Sequence, residues 1–298
     1  MDDLMERIGF IGLGAMGHGM AANVLAKHGQ LTILGNRDRT PVEGLVSKGA
    51  EEAQDAADLA DKSDAVLLCL PNSNVVERVI GNMGDALSPG KTLIDTGTSS
   101  RKSTLLLAET LESRGVRFAE APLTGGKTQA EEGVLGALVG AEDNVFGRIE
   151  PILNMFCASV QHFGPVGSGA AAKFVNNYMV MGIAAVVCEA FHVARLTDSD
   201  WGKLYDVVIR GSADSGVFRR IIGNAKDGDY EGYVFSIENA LKDMGYITEM
   251  NASLGRNTAL NEAIHDFFSA AADAGHGDKL LSELLRPELS SKLFNAKK

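Results

Sequence analysis

The sequence predicts an α/β part of about 165 residues followed by an all-helical part, and three observations carry that prediction. Short apolar runs alternate with helical periods from residue 8 to about residue 163. A glycine-rich turn stands between the first apolar run and the first helix. Beyond residue 196 every periodic stretch is helical, with no clear strand. Strand–helix alternation of this kind builds an open parallel sheet with right-handed crossovers and helices on both faces.

Ile8-Gly9-Phe10-Ile11 reads as a short buried strand and residues 18–28 as a helix, joined by Gly12-Leu13-Gly14-Ala15-Met16-Gly17. This is a dinucleotide fingerprint in its strand–turn–helix context. The glycines serve the tight turn, the close approach of a pyrophosphate and helix packing, and the phosphates meet a helix N-terminus. The first part is therefore expected to be a Rossmann-type, doubly wound parallel sheet that binds NAD(P). The next strand, 31–35, runs into Asn36-Arg37-Asp38-Arg39. A carboxylate at this strand end holds the ribose hydroxyls of NAD, whereas Asn36 followed by Arg37 suits the 2′-phosphate of NADP. NADP is the expected cofactor and NAD the less favoured one; the other reading gives the ribose to Asp38 and leaves the arginines in solvent.

The alternation continues through a helix at 41–48, a strand at 65–70, a helix at 75–83, a strand at 92–95 and a helix at 103–114. Strands follow at 116–122, 135–140 and 159–163, with a helix at 145–156 before the last. Ligands of open α/β sheets sit beyond the carboxyl ends of the strands, so Leu70, Pro71 and Thr98 are expected beside the nicotinamide half. Thr124-Gly125-Gly126 offers a hydroxyl and backbone N–H groups after a strand, a nest suited to a carboxylate; a glycine turn with no ligand is the plain alternative.

From residue 169 to about 196 the chain is apolar and free of proline. As one helix it is about 40 Å long, too long for one small domain, and reads as a spine, buried all round, between domains at 1–165 and 166–298. Lys173 and Asn177 interrupt it four residues apart, on one face. Either Lys173 reaches solvent and Asn177 bonds locally, or the pair is a proton donor with its positioning partner. The positive end of the helix dipole and burial would both lower the lysine pKa toward neutrality. Further helices are expected at 200–209, 217–225, 236–254, 257–274 and 280–285.

A net charge of -11 argues against nucleic acid or an anionic membrane surface as partner. Cys69, Cys157 and Cys188 are dispersed among apolar neighbours, which suggests neither a disulfide framework nor a metal site and fits a reducing, cytoplasmic setting. The acidic start runs straight into a strand with no signal-peptide pattern, and Lys297 and Lys298 read as a solvated end. The apolar stretch 174–191 carries two asparagines and a glutamate and reads as core, not as a membrane span. His18 reads as facing solvent on the phosphate side. His192 and Glu189 lie too far along the spine to share a site with Lys173, and Trp201 reads as an anchor between helices.

Four motifs together resemble the β-hydroxyacid dehydrogenase family over nearly the whole chain. They are the stretch from Gly9 to Gly17, Glu120-Ala121-Pro122-Leu123-Thr124-Gly125-Gly126, the stretch from Gly167 to Asn177, and Lys242-Asp243-Met244. The resemblance implies hydride transfer between a nicotinamide and a small β-hydroxy acid or its semialdehyde, as in 3-hydroxyisobutyrate dehydrogenase. It implies Lys173 as general acid/base, Asn177 holding the substrate or the lysine, and Thr124, Gly125 and Gly126 binding the substrate carboxylate. It further implies Lys242 as a late cofactor contact and Thr98 as the hydroxyl beside the nicotinamide. Glu120 and Thr124 replace the family's usual aspartate and serine, and Gly97 stands where a serine is common. Lys127 with Ala130-Glu131, and Asn36-Arg37, are similar to the NADP-dependent glyoxylate and succinic semialdehyde reductases, which points to reduction; Lys127 directly follows the carboxylate nest on a loop expected to face the cleft, and so is expected at the distal end of the substrate. A non-catalytic NADP-binding paralogue and an imine reductase on the same fold are the rival readings. The long helix and helical part suit a homo-oligomer, a dimer or tetramer, with the cofactor domains outermost.

Overall fold

The structure, a computed structural model, describes residues 6–256 and 258–294. The acidic start at residues 1–5, the helix start read at Asn257 and the terminal Lys297 and Lys298 fall outside it. The chain divides into two compact units, one ending at Lys173 and the other beginning at Phe174.

The first unit is built on one nine-stranded sheet. β1 (Ile8–Ile11), β2 (Thr32–Leu34), β3 (Glu51–Glu52), β4 (Ala65–Leu68), β5 (Thr92–Asp95) and β6 (Arg117–Glu120) pair in parallel in the order β3-β2-β1-β4-β5-β6. The order reverses at β1, as in a doubly wound sheet. Beyond β6 the sheet is no longer purely parallel: β8 (Leu135–Gly140) runs antiparallel to both β6 and β7 (Leu123–Thr124), and β9 (Cys157–Gly164) is parallel to β8. The alternation of apolar runs did not disclose this antiparallel end, nor the two-residue strands β3 and β7, which are too short to show a period.

The strand pleat divides the core in two. Phe10, Ile33, Ala65 and Leu67 pack on one face with Met20 and Val24 of α1 (Gly17–His28) and Ile149 of α7 (Asp143–Leu153). Ile11, Val66, Leu68 and Leu93 pack on the other with Leu59 of α3 (Ala56–Asp61), Ile80 of α4 (Ser73–Met83) and Leu111 of α5 (Arg101–Ser113). Consecutive residues of β4 thus feed opposite cores, which is why the strand reads as an unbroken apolar run. The remaining helices of this unit are α2 (Thr40–Val46) and α6 (Lys127–Glu132).

The long segment is one helix, α8 (Ser168–Leu196), of 29 residues. It is not buried all round: Val175, Met179, Ile183, Val186, Val193 and Leu196 are exposed along one stripe. Mean hydropathy averages over the helix circumference and so cannot reveal which face is left exposed by the described residues. The helix is long and apolar enough to cross a membrane by composition, and 39% of its most apolar window is buried.

The second unit contains α9 (Trp201–Val208), α10 (Gly216–Ala225), α11 (Ile237–Ser253), α12 (Ala259–Ala271) and α13 (Pro287–Phe294), with no named strand among its described residues. Trp201 stands edge-on to Phe191 at 5.1 Å, with the Arg195 guanidinium 4.8 Å from its ring centre, so it does anchor helix to helix.

Candidate active site

The glycine turn is shaped by contact with its own sheet. Gly12 has φ +106°, and a side chain there would run into the Cys69 carbonyl; one on Gly17 would run into the Gly12 carbonyl. Gly14 is different, because a Cβ on it would meet nothing within 4 Å. The protein does not need a glycine at that point for its own packing, whereas a pyrophosphate lying against the backbone would. α1 has no side-chain N-cap at Met16, and of its first turn the His18 N–H donates to the Gly14 carbonyl at 3.0 Å within the glycine turn itself, as an anion-binding helix start allows. Leu13, Ala15 and Met16 complete this turn, and the residues present fit a nicotinamide dinucleotide.

At the end of β2 the two arginines separate. Arg39 forks onto Glu52 at 2.7 and 2.8 Å, while Asp38 Oδ1 accepts from the Thr40 N–H at 3.0 Å. Asn36 and Arg37 are exposed. The ends of β4 and β5 carry Leu70, half-buried, Pro71, exposed, and Thr98, half-buried. The loop bearing Thr98 is held by Asp95, which is 1% exposed. Its Oδ1 accepts from the Gly97 N–H at 2.9 Å and its Oδ2 from the Ser99 hydroxyl at 2.6 Å. In the sequence Asp95 marks only the end of a strand, and a carboxylate closing an otherwise apolar strand is its one signal.

Lys173 lies in the first unit, half-buried, and its Nζ donates to the Leu123 carbonyl at 2.6 Å. This brings the ammonium to the start of the Thr124-Gly125-Gly126 turn. Thr124 Oγ1 donates to the Gly136 carbonyl over a long 3.4 Å, and the Gly126 N–H donates to Gln129 Oε1 at 2.9 Å. One N–H of the expected nest is therefore engaged by a side chain of α6. Lys127 is exposed, 3.8 Å from Glu131.

Glu120, at the end of β6, is 2% exposed. Its Oε1 accepts from the N–H groups of Gly167, Gly169 and Ala170 at 2.6, 3.1 and 3.3 Å, at the start of α8. Its Oε2 is buried without a hydrogen-bond partner. Burial outweighs the three donors and pushes the carboxyl up to about 8.

In the second unit Asn177 is buried and its Nδ2 donates to Asp243 Oδ2 at 2.6 Å. Asp243 Oδ1 lies 3.2 Å from Lys242 Nζ, which stands 5.7 Å from the centre of the Tyr246 ring. Asp243 thus joins two residues singled out from the sequence, Asn177 and Lys242, although they are 65 positions apart. The signal of Asp243 in the sequence is a charge among the apolar residues of a helix face, with Ala240, Met244 and Ile247.

A glycine turn with the dinucleotide-binding spacing, a doubly wound sheet and a lysine at the start of a second glycine turn mark the class: a nicotinamide-dinucleotide-binding oxidoreductase. Residues 7–164 match the family model described as the NAD binding domain of 6-phosphogluconate dehydrogenase, and residues 167–287 that described as NAD-binding of NADP-dependent 3-hydroxyisobutyrate dehydrogenase. Among curated proteins the chain is 36% identical over 187 residues to 2-(hydroxymethyl)glutarate dehydrogenase of Eubacterium barkeri, an alignment that spans 62% of each chain. It is 28% identical to the mitochondrial 3-hydroxyisobutyrate dehydrogenase of Drosophila melanogaster, over 92% of this chain and 86% of that one. Among solved structures it is similar to 3-hydroxyisobutyrate dehydrogenase of Mycobacterium tuberculosis with L-serine, at a TM-score of 0.85 and 26% identity, over 95% and 98% of the two chains. The chain belongs to the β-hydroxyacid dehydrogenase family of NAD(P)-dependent oxidoreductases.

The Glu120 carboxyl sets a pH dependence of stability. A carboxyl raised from 4.5 to about 8 on folding holds its proton more tightly in the native state. Its contribution is complete below pH 4.5 and is lost as pH rises to about 8. Glu120→Gln removes the titration, so the Tm of the wild-type protein relative to this variant should fall across that window by roughly 5 °C or more. A Tm difference constant from pH 5 to 9 would refute the assignment.

Proposed function

We propose that this protein is an NADP-preferring reductase or dehydrogenase of a small β-hydroxy acid and its semialdehyde, with Lys173 as general acid/base. The observation that carries the reading is the 2.6 Å bond from Lys173 Nζ to the Leu123 carbonyl, which sets a cation next to Thr124 and Gly125. The bound dinucleotide supplies or accepts hydride at its nicotinamide. Thr124 Oγ and the Gly125 N–H hold the substrate carboxylate, joined by the Gly126 N–H once Gln129 releases it. The carbonyl oxygen of the substrate then replaces Leu123 as the partner of Lys173. In reduction Lys173 gives its proton to the developing alkoxide, and its charge stabilises that oxygen as it forms. In oxidation the neutral amine takes the hydroxyl proton. Asn177 positions, with Asp243 orienting its amide, and Lys242 is assigned to the cofactor. Lys127 reads the distal end of a longer substrate.

Lys173→Ala should lower kcat by about 10²- to 10⁴-fold while NADPH still binds. The measurement is steady-state turnover over glyoxylate, sulfolactaldehyde and succinic, methylmalonic and tartronic semialdehydes, beside a fluorescence titration of NADPH. Near-normal turnover would remove Lys173 from the chemistry.

NADP preference is assigned to Asn36 and Arg37, since Arg39 is committed to Glu52 and Asp38 to its own turn. Arg37→Ala should weaken NADPH binding by about 1–3 kcal/mol and leave NADH nearly unchanged. An equal loss for both cofactors would show that Arg37 supports the fold.

The exposed stripe on α8 is assigned to a second copy of the chain, in a cytoplasmic homodimer. From Val175 to Leu196 it is about 32 Å long, and a single apolar helix face is self-complementary about a two-fold axis. Free Cys157 and Cys188 in buried positions support a reducing setting. Val186→Glu, whose side chain is 67% exposed in the single chain, should yield monomers by sedimentation. A variant that sediments as the wild type does would exclude this face.

A further inference from the structure

The segment from Glu120 to Thr124 is tied to α8 at two points. Glu120 Oε1 gathers the N–H groups of Gly167, Gly169 and Ala170, and three residues further along the segment the Leu123 carbonyl receives Lys173 Nζ. Both ties lie within the first unit. The turn before the helix is gripped from a third element as well, because Arg101 Nε, on α5, donates to the Gly167 carbonyl at 3.0 Å.

The close approach is built in at the backbone. Gly140 is the β8 residue paired with Glu120, and a Cβ on it would overlap Glu120 Oε1 and stand 2.8 Å from the Gly169 nitrogen. A side chain at Gly140 would thus wedge the carboxyl away from the helix. Three buried N–H groups gathered by one oxygen leave the helix start little freedom to slide or tilt, since any such motion strands a buried donor.

We propose that Glu120 is the positioning residue of the reaction: by clasping the start of α8 it fixes the height of Lys173 over Thr124 and Gly125. This rests on Lys173 being the proton donor. It gives the residue a task that neither its place at a strand end nor its burial would require. The Glu120 oxygen that makes hydrogen bonds, Oε1, is taken up by the start of α8 and the turn before it. It acts by holding the helix that carries Lys173, and a misplacement of the donor by about 1 Å can cost on the order of 10²-fold in rate.

The test compares Glu120→Met, similar in shape but a poor acceptor, with Glu120→Gln, which keeps an accepting oxygen. Glu120→Met should lower kcat about 10²-fold, with the NADPH Kd within about twofold of wild type. Glu120→Gln should recover most of that loss. In a Lys173→Ala background Glu120→Met should cost nothing further, because the two act as a unit. A second readout needs no turnover: acylation of Lys173 by an amine-reactive ester, followed by peptide mapping. Glu120→Met should speed this labelling severalfold as Nζ loses its place on Leu123, and Glu120→Gln should not. Arg101→Ala, which loosens the same turn without touching Glu120, should shift labelling in the same direction and stands in if Glu120→Met does not fold. Unchanged labelling, Gln as damaging as Met, or a loss of the same size without Lys173 would overturn the proposal. Should Lys173→Ala itself keep turnover, the catalytic reading falls, while the labelling still decides whether Glu120 holds the lysine.

Discussion

A helix that starts inside a protein must find acceptors for its first N–H groups, and in this chain a single carboxyl oxygen serves two of them, on Gly169 and Ala170, together with that of Gly167 just before the helix. Glu120 closes β6 and opens α8 in the same contact. The cost is a buried acid whose second oxygen has no hydrogen-bond partner and whose proton is held to about pH 8. Burying a carboxyl with one oxygen unpartnered is expensive. The expense is consistent with a demand for fixed geometry at the segment that follows, where Leu123 meets Lys173 and Thr124 begins the turn.

The same device recurs. Three carboxylates, Asp95, Glu120 and Asp243, are buried among the described residues, at 1%, 2% and 2% exposure. Each binds the backbone or side chain of a segment that carries a candidate residue: Asp95 the Gly97-Thr98 turn, Glu120 the start of α8, Asp243 the amide of Asn177. A candidate group on a loop or a helix end is only as well placed as the bonds behind it, and a buried carboxyl group, ionised or not, offers directional acceptors at short range. The polar groups that line a site and those that hold it are therefore different residues here, and the second set is the more deeply buried.

That division explains what the sequence could disclose. The glycine fingerprint was legible because its spacing follows from backbone geometry alone, and Lys173 with Asn177 stood out as polar interruptions in an apolar helix. The strands of the parallel core were legible as apolar runs. The tasks of Glu120 and Asp243 were not, because their partners lie 47 to 50 and 66 residues away and only the fold brings them near, whereas the partners of Asp95 are local, 2 and 4 residues on, in a turn without a period to mark it. β7 and α6, two and six residues long, are set by the turn chemistry of Gly125 and by Gln129 capping Gly126, not by periodicity.

The stripe on α8 marks the opposite limit. Its residues are as apolar as those that face the core, so composition assigns both faces the same environment, and only the packing of the second unit separates them. Phe174, Met181, Ala184 and Cys188 are buried, while Val175, Met179, Ile183 and Val186, interleaved with them at helical spacing, are not. Leaving such a face in water would forgo burial of several large side chains, each worth about 1.5–3 kcal/mol. Over about six turns the two faces alternate at helical spacing, so what separates core from exposed stripe is the packing of the second unit and not a change in the kind of residue.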